Sequence, residues 1–211
     1  MEIKGLKFNF LGDSITEGVG VSDILTKRYT AVFERETGAI VNNYGIGGTR
    51  ITRKATPSIN PRHDLCFLDR VDEMDPEADV VVVYGGTNDF GHGLTFGKPD
   101  DRDEYTFWGA MHSIILRLKR RFPNSEIVFM TPIHRRTEDT AREDGLRLVD
   151  FVDAMMEVTA YYGIPTLDLY RTSGIQPAVE ELDDMTDDGL HPNDKGAERI
   201  AKRLIGFLST L

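Results

Sequence analysis

Five short apolar runs punctuate the chain, at residues 7–11, 40–44, 80–84, 127–131 and 166–169. Between them lie segments whose apolar residues recur every three or four positions, the spacing of an amphipathic helix. Val80-Val81-Val82-Val83 is β-branched throughout, as expected of a strand covered on both faces. The first run is interrupted by Asn9, and the last contains Asp168. Helical stripes are formed by Ala197, Ile200, Ala201, Leu204 and Leu208, and by Trp108, Met111, Ile115 and Leu118. A third, Leu146, Val149, Val152 and Met156, stops near Gly163, and a shorter one, Tyr29, Val32 and Phe33, stops at Gly38. Asn193 or Asp194 supplies a cap for the last helix. Strands alternating with helices imply right-handed crossovers and a parallel sheet with helices on both faces. No repeat, low-complexity tract or linker interrupts this order, so residues 1–211 are expected to form one domain.

Stretches 49–61, 90–103 and 170–189 fit neither pattern, and each follows an expected strand. Loops at the carboxyl ends of parallel strands are where such sheets bind ligands, and loops of this length tend to be functional.

Composition narrows the function classes. Hydrophobic residues make up 40% of the 211, which is enough for a buried core. A formal charge of −10 repels phosphate backbones and anionic lipid surfaces, so neither nucleic acid nor a basic membrane-docking face is expected. Cys66 is the single cysteine and reads as a small core hydrophobe. No stretch has the length of a signal peptide or of a membrane span, so a cytoplasmic chain without membrane insertion is expected.

Four places carry chemistry-bearing residues. Ser14, in Gly12-Asp13-Ser14-Ile15-Thr16-Glu17-Gly18, follows the first strand. It fits a helix N-cap, with Glu17 completing a capping box. It also fits a nucleophile whose own N–H, backed by a helix dipole, faces a developing oxyanion. Near the other end, Asp188 stands three residues before His191. That spacing lets the carboxylate hold imidazole Nδ1–H while Nε2 takes a proton. Asp184 and Asp187 compete for this role, and a merely solvated acidic run is the alternative. Gly85-Gly86-Thr87-Asn88-Asp89 places a side-chain amide at the end of the Val-rich strand, either as an oxyanion donor or as part of an ordinary turn. Asn43-Tyr44-Gly45-Ile46-Gly47-Gly48-Thr49 brings glycine N–H groups to the end of the second strand. A dinucleotide fingerprint fails there, because Arg50 occupies the sixth position and a long loop follows.

With these four blocks in this order, over residues 12 to 192, the chain resembles the GDSL-type hydrolases of the SGNH superfamily. Isoleucine stands where the family name has leucine. The resemblance implies an α/β fold, a flavodoxin-like three-layer α/β/α sandwich on a five-stranded parallel sheet. It implies Ser14 as nucleophile, with Asp188 and His191 completing a triad. It further implies an oxyanion hole made by the Ser14 N–H, the Gly48 N–H and the Asn88 amide, with Gly47 one register away as the alternative to Gly48. Members need no metal or organic cofactor, so none is expected. The implied reaction is ester hydrolysis through an acyl-enzyme, with activity rising through neutral pH toward the mildly alkaline.

The family includes carbohydrate-ester deacetylases, lysophospholipases, thioesterases and short-chain esterases. No extended apolar patch suits a lipase lid, so the expected substrate is a small-molecule ester, with a short acyl group, acetyl above all, on a carbohydrate or other polar alcohol. The competing class is a non-catalytic flavodoxin-like ligand-binding domain. Residues 90–94 and 105–108 are candidates for the pocket rim, although Trp108 equally suits the core. Arg135 and Arg136, after the fourth strand, either bind an anionic group or lie in a solvated loop. His63, His92 and His112 have no ligand-like spacing and receive no role.

Overall fold

The computed structural model describes residues 1–140 and 142–211. Its strands are β1 (Lys7–Gly12), β2 (Ile40–Gly45), β3 (Val80–Tyr84), β4 (Glu126–Met130) and β5 (Thr166–Leu167). All are parallel, in the order β2-β1-β3-β4-β5. The chain winds outward in one direction from β1 to β2 and in the other from β3 onward. The direction therefore reverses between β1 and β3, where a parallel sheet opens a crevice at its carboxyl edge.

Alternate strand residues face opposite layers. Leu11, Val81, Val83, Ile127 and Phe129 pack with α4 (Phe67–Arg70), α6 (Phe107–Arg121) and α7 (Leu148–Tyr161). Phe8, Phe10, Val80, Val82 and Val128 pack with α3 (Tyr29–Thr37) and α9 (Asp194–Leu208). Full burial of each such side chain stabilises the fold by about 1.5–3 kcal/mol. Because both faces are covered, β3 has no polar position, which is why its sequence reads as an unbroken apolar run. Asn9 is accommodated inside β1 because its side-chain amide donates to Asp75 O (2.8 Å) and its carbonyl accepts from Asn42 (3.1 Å). A buried amide with both ends bonded escapes the desolvation penalty.

Two expectations are corrected. The fifth strand stops at Leu167, because Asp168 turns the chain by capping α8 (Leu169–Thr172), accepting from the Arg171 N–H (3.1 Å). The stripe of α7 is shifted by a residue or more. Leu148, Phe151, Val152, Met155 and Val158 are buried, whereas Val149 and Met156 are only half-buried and Leu146 lies before the helix. The other stripes hold, with α3 ending at a left-handed Gly38 and α9 capped by Asn193. Among the described residues, no helix is long and apolar enough to cross a membrane.

Candidate active site

Ser14 sits where β1 runs into the short helix α1 (Ser14–Glu17), at the crevice. The capping arrangement differs from the expected box. Asp13 is the cap, accepting from the Ile15 N–H at 3.0 Å, and Ser14 is the first helical residue. This releases the Ser14 hydroxyl from capping. Glu17 instead reaches sideways to the Gly47 N–H (2.7 Å) and to Arg62. With four residues, α1 carries little dipole, so any electrostatic role belongs to individual N–H groups. Burial pushes the Asp13 carboxyl up to about 6, against the pull of the Ile15 N–H and of His191.

The far end of the chain folds back to meet this turn. His191 Nε2 lies 2.9 Å from Ser14 Oγ, across 177 positions of sequence. His191 Nδ1 lies 2.6 Å from Asp188 Oδ2, while Asp188 Oδ1 accepts the backbone N–H groups of Leu190 (2.9 Å) and His191 (2.7 Å). Partial burial raises the Asp188 carboxyl, but these bonds from the His191 side chain and the two N–H groups outweigh it and hold it below its ordinary value. The competing acids are engaged elsewhere, Asp184 with Lys195 and Asp187 with Asn193. Gly20 is required where this segment crosses the Ser14 loop. A Cβ there would lie 2.8 Å from Pro192 O and 2.9 Å from His191 Cβ.

A third group of atoms converges from the ends of β2 and β3. A Cβ on Gly47 would stand 3.5 Å from Ser14 Cβ, so the glycine turn abuts the serine. The Gly47 N–H is taken by Glu17. The next N–H, of Gly48, has no acceptor among the described residues. Gly48 adopts φ +76°, and a Cβ there would meet the His63 ring at 2.3 Å. Asn88, in the first turn of α5 (Thr87–Gly91), donates one amide hydrogen to Thr49 O (2.9 Å), which leaves the other free. Its neighbour Asp89 anchors the same loop through the N–H groups of Ile51 (3.2 Å) and Thr52 (2.8 Å), and burial raises its carboxyl. Chemically, the arrangement offers a hydroxyl with a proton acceptor on one side and unoccupied N–H donors on the other.

Several residues that hold this arrangement carried no signal in the sequence. Arg70 is buried and donates to Gly12 O (3.1 Å), Thr49 Oγ1 (2.9 Å), Leu65 O (3.1 Å) and Tyr44 O, tying the ends of β1 and β2 to the loop. Burial lowers its guanidinium to about 10. Arg50, also buried, pins the loop to Asp64 (2.7 Å). The rings of His63 and His92 stack at 5.7 Å, with Arg50 3.3 Å from His92 Nδ1. Burial and the charges of Arg50 and His63 lower His92 to about 4. These two histidines therefore belong beside the site. Trp108 and Leu94 are buried in the core, whereas Phe90, Gly91 and Gly93 line a cavity of about 720 Å³ that none of Ser14, Gly48, Asn88 or His191 lines. Among the described residues, no group of three or more His, Cys, Asp or Glu side chains is placed to hold a metal ion.

A model of the GDSL-like Lipase/Acylhydrolase family matches residues 10–199. An acetylxylan esterase from Xylanibacter ruminicola is 23% identical over 208 residues, covering 91% of this chain and 41% of that protein, so the chain spans less than half the length of this relative. One solved structure, 32% identical, superposes with a TM-score of 0.88 over 100% of this chain and 99% of its own. Another, of a protein from Lactobacillus plantarum, is 29% identical, with a TM-score of 0.85 over 99% and 98% of the two chains.

Proposed function

The chain belongs to the GDSL-like lipase/acylhydrolase family, and on that premise we propose that it is a carboxylic-ester hydrolase that removes short acyl groups, acetyl above all, from a carbohydrate or other polar alcohol, using Ser14 as nucleophile. The observation that carries this reading is the hydrogen-bonded line Ser14 Oγ, His191 Nε2, His191 Nδ1, Asp188 Oδ2, with separations of 2.9 and 2.6 Å.

In this mechanism Ser14 Oγ attacks the ester carbonyl as His191 Nε2 takes its proton. Asp188 keeps Nδ1 protonated and steadies the imidazolium that forms. The oxyanion is received by the N–H groups of Ser14 and Gly48 and by the free hydrogen of the Asn88 amide. Each such donor is worth roughly 10²–10³ in rate. His191 then protonates the departing alkoxide, and a water molecule repeats the sequence on the acyl-enzyme.

One comparison supports a short acyl group and a polar alcohol. It is the similarity to an acetylxylan esterase, whose name specifies an acetylated carbohydrate.

A panel of p-nitrophenyl esters from acetate to dodecanoate, together with acetylated xylo-oligosaccharides, tests the proposal. Acetate should be cleaved fastest, and Ser14→Ala should abolish turnover of every ester. A Ser14→Ala variant that retains wild-type rates would overturn the nucleophile assignment. A preference for long chains would overturn the substrate class.

A further inference from the structure

Of the arginines around the site, only Arg70 and Arg135 lack a carboxylate partner among the described residues, and Arg70 is buried with its donors already placed on four oxygens. Arg50 pairs with Asp64, Arg62 with Glu17 and Arg136 with Asp183. Arg135 has no carboxylate within salt-bridge distance among the described residues, although it is half-buried in a chain of net charge −10. Its guanidinium donates through Nη1 to Thr87 O (3.2 Å) and Thr87 Oγ1 (3.3 Å), and through Nε to Thr137 Oγ1 (3.2 Å). It also lies over the Phe90 ring, 5.6 Å from the centroid. Nη2 has no acceptor among the described residues.

Its position is set from two sides. Thr87 immediately precedes Asn88, so the guanidinium rests on the turn that carries the oxyanion amide. The next residue, Arg136, donates its N–H to Gly189 O (2.8 Å), inside the Asp188–His191 turn. Glu138, itself buried, fixes the intervening bend by accepting from the Arg135 N–H (3.1 Å). The Arg135–Arg136 segment thus joins the two halves of the site, with one charged donor of Arg135 left over. Burial lowers the guanidinium below its ordinary value, against the pull of Asp188 and Glu138, so an added anion would be stabilising there.

We infer that Arg135 Nη2 binds an anionic group, carboxylate or phosphate, on the alcohol portion of the ester, so that the preferred substrates are short-acyl esters of acidic alcohols. A single charge-assisted hydrogen bond at a partly buried site gives a preference of about tenfold or more. The inference rests on the hydrolase reading of Ser14 and adds the charge of the leaving alcohol to it.

The test compares kcat/KM for 3-acetoxybenzoate and its neutral analogue 3-acetoxybenzamide, each divided by its spontaneous hydrolysis rate. Wild type should favour the anion about tenfold or more. Arg135→Gln should collapse that ratio toward one, chiefly through KM for the anion, and Arg135→Lys should restore part of it. Any loosening of the Thr87 turn lowers both substrates together and leaves the ratio unchanged, so the ratio isolates recognition from folding. A 3-acetoxyphenyl phosphate probe tells a phosphate site from a carboxylate site by which anion gains more. A wild-type ratio near one, or a ratio untouched by Arg135→Gln, would overturn the inference. Failure of the underlying hydrolase reading shows differently, as equal turnover of both probes by Ser14→Ala and wild type.

Discussion

Replacing Asn88 with alanine separates the oxyanion role proposed for this residue from its structural one, because the two are read by different measurements. One amide hydrogen satisfies the buried carbonyl of Thr49 at 2.9 Å. Leaving that carbonyl unpaired costs about 1–3 kcal/mol of stability. For a chain of this size each kcal/mol lowers the melting temperature by about 2–4 °C, so a fall of about 2–12 °C is expected. The other hydrogen is free to meet the oxyanion, and its loss should lower kcat by roughly 10²–10³. Because that bond forms only in the transition state, kcat and kcat/KM should fall together while KM stays nearly constant. Steady-state kinetics on p-nitrophenyl acetate, run well below the variant's own melting transition, reads the second effect without the first. A folded Asn88→Ala protein whose kcat lies within tenfold of wild type would refute the assignment of Asn88 to the oxyanion hole. A rise in KM with kcat preserved would show instead that the amide binds the ground state.

Three further outcomes follow from the same geometry. Asp188→Asn should lower kcat by roughly 10²–10⁴ through loss of the Nδ1 acceptor, with little change in the melting temperature, since the group is half exposed; a loss smaller than tenfold would exclude Asp188 as the orienting acid. Gly48→Ala forces a left-handed backbone and drives a Cβ into the His63 ring, so kcat should fall at least about tenfold, given strain of order 1–3 kcal/mol at the proposed oxyanion donor. His63→Ala in the same chain should recover part of that loss, and no recovery would mean that the backbone conformation alone is responsible. Asp13 binds its proton up to about 6 in the folded state against an ordinary 3.8, so ionising it destabilises the fold, and stability falls as pH rises through that window. Asp13→Asn should therefore raise the melting temperature at pH 7.5, by an amount corresponding to at most about 3 kcal/mol, and make no difference below about pH 4; an equal gain at both pH values would show that the carboxyl is not titrating there.

The layers of this fold were legible because each depends on short-range pattern. A strand buried on both faces must be apolar along its length, and Val80–Tyr84 announces itself for that reason. The helix beginning at Tyr29 ends at Gly38 because a left-handed cap suits glycine, which is equally visible in sequence. Legibility failed where a side chain chose a partner by local competition. Asp168 ended a strand by capping the next helix, and Asp13 displaced Ser14 as a cap. The α7 stripe was misplaced because Phe151, Met155 and Val158 offer a second apolar face beside the one read from Leu146.

The types of chemical group were likewise present in the sequence, since Ser14, Asn88, Asp188 and His191 stand in blocks whose residue kinds and local spacings suit the roles proposed for them. Tertiary structure decided which of them touch. It brought Ser14 and His191 to 2.9 Å across 177 residues, gave the Gly47 N–H to Glu17, and, among the described residues, left the Gly48 N–H without an acceptor and Arg135, on Thr87, without a carboxylate. The physical reason is range. Backbone propensity and apolar periodicity act over a few residues and survive in a linear string, whereas a hydrogen bond between distant side chains exists only after crossovers and core packing have fixed both ends.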